Sequence, residues 1–424
     1  MPEVRPYRGI LYNSTKVSPT DVVAPPYDVI STQQQGELYD RNTYNIIRLI
    51  LGREEDRYKS AAKYFEDWKN SSIMVHDEKA VIYALVQNFD FPERNPIERR
   101  GIIAALRLED YGAGSINPHE KTHSAPKEDR FKLFRTTNAM FDQILSLYSD
   151  PQHNIDDFLS NYTDSSPIID VTFEQVRNRV WRIRGDIAYA GIASFFTNRK
   201  IIIADGHHRY ETALRYRDLM RSKNPRHSGD EPYNFIPMYF ANMDSPGLCI
   251  LPTHRILSNI SDFSSAQLLE SLKTYFHFDV QTTAEELLHN LSSSREFAFG
   301  VILPTPPEFV LIWLKNREVI KSLNLPEILS QLDVSLLDTI ILKNIFHISD
   351  ETTDRKANLS YENEATRAIR MVKEGKADVA FLLNPTKIDQ LKAVTESKYT
   401  MPPKSTYFYP KLLSGIVSYS FIDK

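Results

Sequence analysis

The sequence predicts an α/β fold of the mixed, α+β kind: a mixed-sheet core followed by a second α/β region. Three observations carry this. Short, unbroken apolar runs such as "KAVIYALVQNF" (79–89) and "KIIIAD" (200–205) suit strands buried on both faces. Between them lie stretches with three- and four-residue apolar spacing, the period of a helix packed on one side. The chain also has 424 residues, and a domain prior of about 100–200 residues implies more than one core.

In chain order, "VVAPPYDVIS" (22–31) reads as a rigid loop. Pro25 and Pro26 fix two φ angles, Ala24 is pushed toward an extended shape, and Tyr27 and Asp28 follow on a stiff backbone. Tyr58, Ala61, Ala62, Phe65 and Trp68 predict a helix over 56–69. Strands follow over 79–89 and 99–111. Residues 112–130 have no period and read as a long loop rich in Gly, Pro, Ser and charge. A helix then a strand fill 131–150, a helix 151–164 and strands 170–185. After the strand 200–205 comes a helix over 207–223, then a strand over 233–244. From about residue 259 shorter helices and strands alternate, so the boundary is placed between 1–258 and 259–424. The tail 401–424 is expected to pack back on the site. "DVSLLDTIILKNIF" (333–346) reads as a helix capped by Asp333 or Ser335. Residues 363–386 read as helix, glycine stop, strand and proline turn.

Composition narrows the function. Hydrophobic content is 42%, charged content 25% and net charge -4, so broad electrostatic binding to nucleic acid is disfavoured. One cysteine, Cys249, allows no internal disulfide and fits a reducing cytoplasm. The opening "MPEVRPYRGI" has no apolar leader, and no run approaches the roughly 20 apolar residues of a membrane helix. A cytoplasmic protein with no membrane partner is expected.

The densest chemistry is "IIIADGHHRYETAL" (201–214). A buried strand runs into Asp205, Gly206 permits a tight turn, and a helix starts at His207. A helix start favours anions, because its first amides point outward and its dipole is positive there. His207, His208 and Arg209 add donors and charge, and arginine grips phosphate with two parallel bonds. Asp205 can hold Mg²⁺, accept a proton or orient a histidine. Two other readings stand beside this one. Asp205 could simply cap the helix. Alternatively His207 and Glu211, at i, i+4 spacing, could bind zinc with His119, His123 or His254, although no H-E-x-x-H pattern or cysteine pair supports it.

Further polar islands are candidates for the same site. In "NPHEKTHSAPKEDR" (117–130), Glu120 is a candidate base or metal ligand, and Lys121, Lys127 and Arg130 are candidate phosphate contacts. His254 and Arg255 sit between apolar residues in "LPTHRIL", where a partner is needed. "MPPKSTYFYPK" presents Lys404 and Ser405 on a stiff Pro-Pro turn that could close over an anion. No G-x-G-x-x-G, G-x-x-x-x-G-K-[ST] or G-x-S-x-G pattern occurs, which disfavours a Rossmann dehydrogenase, a P-loop kinase and an α/β-hydrolase.

The stretches "VVAPPYDVIS", "YNIIRL", "INPHEKTHSAPKEDR", "IIIADGHHRYETAL", "LPTHRIL" and "MPPKSTYFYPKLLSG" together resemble the bacterial and archaeal family called domain of unknown function 1015, from residue 22 to 415. The strand-"DGHHR"-helix element also resembles that of the ParB/sulfiredoxin fold, which includes free L-serine kinases. That resemblance implies a phosphate site at Asp205, Gly206, His207, His208 and Arg209, with a separate glutamate as base, here assigned to Glu120. It implies a nucleotide, ADP or ATP, with Mg²⁺ on Asp205, and a small phosphorylated ligand. The expected function is phosphoryl transfer on a small metabolite, serine or phosphoserine, as kinase or phosphatase. The competing expectation is a non-catalytic nucleotide-binding or DNA-associated regulator of ParB type. Cys249 lies far from the motif, so sulfiredoxin-like reduction is not expected.

Overall fold

A mixed sheet organises the first of two units in this computed structural model, which describes residues 1–91, 94–121, 125–294, 297–348 and 357–423. The first unit comprises Met1–Pro118, Thr122–Cys249 and Pro410–Lys424; the second comprises His119–Lys121 and Ile250–Tyr409. The chain therefore touches the second unit at 119–121, crosses into it at Ile250 and returns to the first unit at Pro410.

The strands of the first unit are, in order, β1 (Val4–Arg5), β2 (Ile10–Tyr12), β3 (Met74–His76), β4 (Ile82–Phe91), β5 (Arg94–Arg107) and β6 (Ile116–Pro118). They continue with β7 (Ala139–Met140), β8 (Ile144–Tyr148), β9 (Ile169–Phe173), β10 (Val176–Ile183), β11 (Ile201–Asp205) and β12 (Phe235–Asn242). Among the described residues, the sheet runs β6-β11-β8-β12-β5-β4-β10-β9, with β1 added on β5. β11 pairs parallel with β6 and β12 parallel with β8; the other neighbours are antiparallel. β12 is buried along its whole length, "FIPMYFAN", as an unbroken apolar run in the middle of a sheet requires. Pro237 is tolerated there because pairing with β8 begins only at Met238.

One helix lies where the sequence showed less. The helix Ala125–Thr137 begins inside the stretch read as loop. Its first turn is "APKE", polar apart from one alanine and one proline, so no apolar period announces it; a proline near a helix start is permitted. This helix packs along the helix His207–Lys223.

Among the described residues, the second unit has a six-stranded sheet in the order Phe276–Gln281, Phe309–Leu314, Ala298–Ile302, Val379–Leu382, His254–Leu257, Leu359–Glu362. Ile256, Ile302 and Ala380 on the sheet meet Leu287, Leu291 and Val372 in one apolar cluster. The predicted helix over 333–346 starts at Asp333, so Asp333 does not cap it: its Oδ1 accepts the Phe297 N–H at 3.0 Å. From Leu337 to Ile345 the helix widens to π geometry. That wider turn brings residues five apart together, and Lys343 Nζ meets Asp338 Oδ2 at 2.7 Å. Among the described residues, no helix is long and apolar enough to cross a membrane.

His254 lies in the His254–Leu257 strand, almost wholly buried, and its Nδ1 accepts the Leu383 N–H at 3.2 Å. Burial, and then the Arg255 charge beside it, push its pKa down from 6.5 to about 4. The unfolded chain regains the ordinary value, so between pH 6.5 and 4 the unfolded chain alone takes up this proton. Stability contributed here is fully present above pH 6.5 and is lost as pH falls toward 4, at a slope approaching about 1.4 kcal/mol per pH unit. The variant His254→Gln is expected to show a flatter profile over that window in urea unfolding; parallel profiles would exclude His254 as the group responsible.

Candidate functional site

The site begins with a kink. β11 pairs with β8 in regular register as far as Ile203, then Asp205 falls opposite Leu145, so one extra residue bulges immediately before the acid. Gly206 follows with φ 94°, in the left-handed region where glycine adopts the turn without strain. The helix starts at His207.

Gly206 is needed for a second reason. A Cβ there would stand 2.8 Å from Arg209 NH2 and 2.9 Å from Arg209 Nε. The guanidinium therefore folds back across the turn, and only a hydrogen at residue 206 leaves it room. Arg209 NH2 donates to Asp205 Oδ2 at 2.8 Å. Its NH1 donates to the Gln143 carbonyl and pairs with Asp142 Oδ1, each at 3.0 Å. Burial acts to lower the Arg209 pKa, but the carboxylates of Asp142, Asp205 and Asp28 outweigh it and hold the group firmly charged.

Asp205 is held from the other side by Lys411, whose Nζ donates to Oδ1 at 2.6 Å. Both oxygens of Asp205 thus face cations. Asp205 is not the cap of the helix; that place belongs to Gly206, which has no side chain to offer the first amides. His207 is buried and His208 half-buried on the first turn. One turn on, Glu211 pairs with Lys127 of the 125–137 helix, and Thr212 Oγ1 donates to the His208 carbonyl at 2.6 Å.

Arg130, on the same helix as Lys127, is buried. It bonds to Asp129 and to the Ile50 carbonyl, and its guanidinium carbon lies 3.9 Å from the centre of the Tyr27 ring. The stiff "APPYD" loop is thereby fixed in the first unit, with Asp28 exposed and acting on Arg209. Gln143 gives its Nε2 to the Val417 carbonyl, and its buried Oε1 has no hydrogen-bond partner among the described residues.

The remaining candidates belong to the second unit. Glu120 Oε1 accepts from the Thr406 N–H and the Thr406 hydroxyl, both at 2.8 Å, and Oε2 accepts from the Lys404 N–H at 3.1 Å. His119, fully buried, has Nε2 2.8 Å from Thr406 Oγ1 and 3.2 Å from Glu120 Oε1. The Lys121 N–H donates to the Met401 carbonyl at 3.2 Å, and Ser405 Oγ donates to the Pro402 carbonyl at 2.7 Å. Glu120 therefore clasps the 401–406 turn, in which Lys404 has φ 59°. In the same unit His254 is the neutral strand histidine described above, and Arg255 NH1 donates to the Thr253 carbonyl.

The structure thus gathers Asp205, Gly206, His207, His208, Arg209, Lys127 and Arg130 in one unit, and Glu120, Lys121, Lys404, Ser405, His254 and Arg255 in the other. His123, considered as a zinc ligand, lies outside the described residues. Among those described, no group of three or more His, Cys, Asp or Glu side chains is placed to hold a metal ion. Sequence reasoning missed Asp142 and Lys411. Asp142 stands in no quoted motif, Lys411 ends the stretch "MPPKSTYFYPK" in which only Lys404 and Ser405 were singled out, and both are far from Asp205 in the chain.

Comparison with known proteins adds the following. A conserved hypothetical protein from Pyrococcus furiosus is similar at 13% identity, over 73% of this chain and 93% of that one, with a TM-score of 0.36. A free serine kinase in complex with AMP is similar at 12% identity, over 72% and 86%, with a TM-score of 0.36. SbnI with a C-terminal truncation, from Staphylococcus aureus, is similar at 11% identity, over 74% and 85%, with a TM-score of 0.36. No curated protein matches the chain. The family model described as protein of unknown function (DUF1015) matches residues 4–335, and the chain belongs to that family.

Proposed function

We propose that the Gly206 turn binds a phosphate group and that the protein transfers phosphoryl groups to or from a small metabolite. The observation that carries this reading is the position of Arg209. Its Nε–NH2 edge lies over the glycine that starts a helix of 17 residues. Its NH1 and NH2 groups bond to Asp142, Gln143 and Asp205, and its Nε bonds to none of the described residues. A phosphate over the turn would meet that N–H, the helix dipole and the first-turn amides together.

Phosphoryl transfer asks a protein mainly to position the group and neutralise its charge. Arg209 and His207–His208 supply donors, and Asp205 fixes Arg209 in place. The bond from phosphorus to the donor oxygen breaks as the bond to the acceptor oxygen forms, and the acceptor hydroxyl proton passes to water. Lys127 and Arg130, on the neighbouring helix of the same unit, complete the proposed phosphate contacts. A nucleotide, ADP or ATP, is the proposed donor. Serine as acceptor rests on the likeness of "DGHHR" to the stretch found in free L-serine kinases. Mg²⁺ on Asp205 would need a carboxylate oxygen clear of Lys411 and Arg209, and both oxygens are taken. No step is routed through a metal.

Ligand binding is tested by thermal shift with ADP, ATP, phosphoserine and pyrophosphate. Ligand at about 100 times its Kd stabilises the chain by roughly 2.7 kcal/mol; no shift with any of the four overturns the phosphate reading. Turnover is tested by phosphoserine formation from L-serine and each nucleotide. Asp205→Asn is expected to lose turnover by about 100-fold or more while still binding nucleotide. Nucleotide binding by the wild type with no turnover would instead identify a regulator.

A further inference from the structure

Lys411 belongs to neither the strand nor the helix that form the site. It arrives on the C-terminal segment, and that segment is tied down on both sides of it. On the near side, Arg99 donates to the Pro410 carbonyl at 2.5 Å. Arg99 is almost wholly buried, and burial lowers its pKa. It closes a row across three neighbouring strands: Asn178 on β10 accepts from Gln87 on β4 at 2.8 Å, and Gln87 accepts from Arg99 Nε on β5 at 3.0 Å.

On the far side, Ser414 and Ala24 exchange backbone bonds of 2.8 and 3.3 Å, and the Gly415 N–H donates to the Phe141 carbonyl at 2.8 Å. Tyr419–Ser420 then pairs with β7. The same short stretch, 139–143, thus receives the C-terminal segment and supplies Asp142 and the Gln143 carbonyl to Arg209. The backbone around Lys411 is fixed, and the part left to move is its four-carbon stem.

Asp205 has two cations against it, and they differ in what they can do. Arg209 is locked by three acceptors under a buried surface. Lys411 is a point charge on a flexible stem with part of its side chain exposed. A phosphate arriving over Gly206 adds negative charge beside Asp205. Moving Arg209 to meet it would break three buried bonds, whereas Lys411 can turn toward it by rotation of its partly exposed stem.

We infer that Lys411 is a ligand-binding cation of this site: it turns from Asp205 Oδ1 toward the incoming phosphate. The inference rests on the phosphate reading of the Gly206 turn. In the empty site Asp205 competes with phosphate for Lys411, so the two residues have opposite effects on affinity.

The test is calorimetric titration of inorganic pyrophosphate into the full-length chain. Lys411→Met is expected to weaken binding by about 10- to 100-fold, the worth of one charge-assisted bond. Asp205→Asn removes the competing charge and is expected to tighten pyrophosphate binding by several-fold. Unchanged affinity in Lys411→Met, or weakened affinity in Asp205→Asn, overturns the inference while leaving the phosphate reading intact. If Lys411→Met fails to fold, the Asp205→Asn measurement decides alone. If the wild type binds neither pyrophosphate nor nucleotide, the phosphate reading itself fails.

Discussion

A buried guanidinium must be matched by carboxylates, and much of the first unit can be understood as meeting that demand for Arg209. An isolated charge away from water is prohibitively unfavourable, whereas a paired and hydrogen-bonded one is tolerated. Asp205 comes from the end of β11, and the bulge before it places the acid opposite Leu145. Asp142 comes from the link between β7 and β8, which the C-terminal segment pins by strand pairing and by the Gly415–Phe141 bond. Gly206 lets the guanidinium fold back without a clash. The loop holding Asp28 is bolted through Tyr27 and Arg130. Removing any one of these leaves Arg209 short of charge or of space, so distant parts of the chain are coupled through a single side chain.

Much of the architecture was legible because it rests on local pattern. β-branched runs gave the buried strands, and three- and four-residue spacing gave the helices over 57–70 and 207–223. The class, mixed α/β, follows from those alone. What escaped was what local pattern does not encode. The 125–137 helix has a polar first turn and no apolar period to betray it. The 333–345 helix widens to π geometry, which the spacing of its apolar residues does not specify.

The cluster at 205–209 was legible for a different reason: residues with costly desolvation were set side by side at a strand end, where packing alone does not ask for them. Their partners were not legible. Lys411 closes the stretch "MPPKSTYFYPK", but the Pro-Pro turn drew attention to Lys404 and Ser405, and only the path of the C-terminal segment brings Lys411 to Asp205. Glu120 shows the opposite case. Its neighbours His119 and Lys121 suggested a site by sequence proximity, yet its carboxylate bonds mainly to Lys404 and Thr406, far along the chain. Adjacency in sequence located the acid but not the backbone it holds.

The placement of the acid one residue before the helix cap matters for chemistry. Had Asp205 stood at the cap, its own carboxylate would have satisfied the first amides, and the dipole would have been used internally. With glycine at the cap, the negative charge is displaced sideways onto Arg209 and Lys411, and the residue that starts the helix offers the first turn no acceptor. The acid then acts on the cations rather than on the helix. That division suits a site that takes a second anion: the turn supplies amides and dipole, Arg209 supplies a fixed edge, and Lys411 supplies a charge that can change partners. A capping aspartate would give a more stable helix and a poorer anion site, and the glycine at position 206 excludes it.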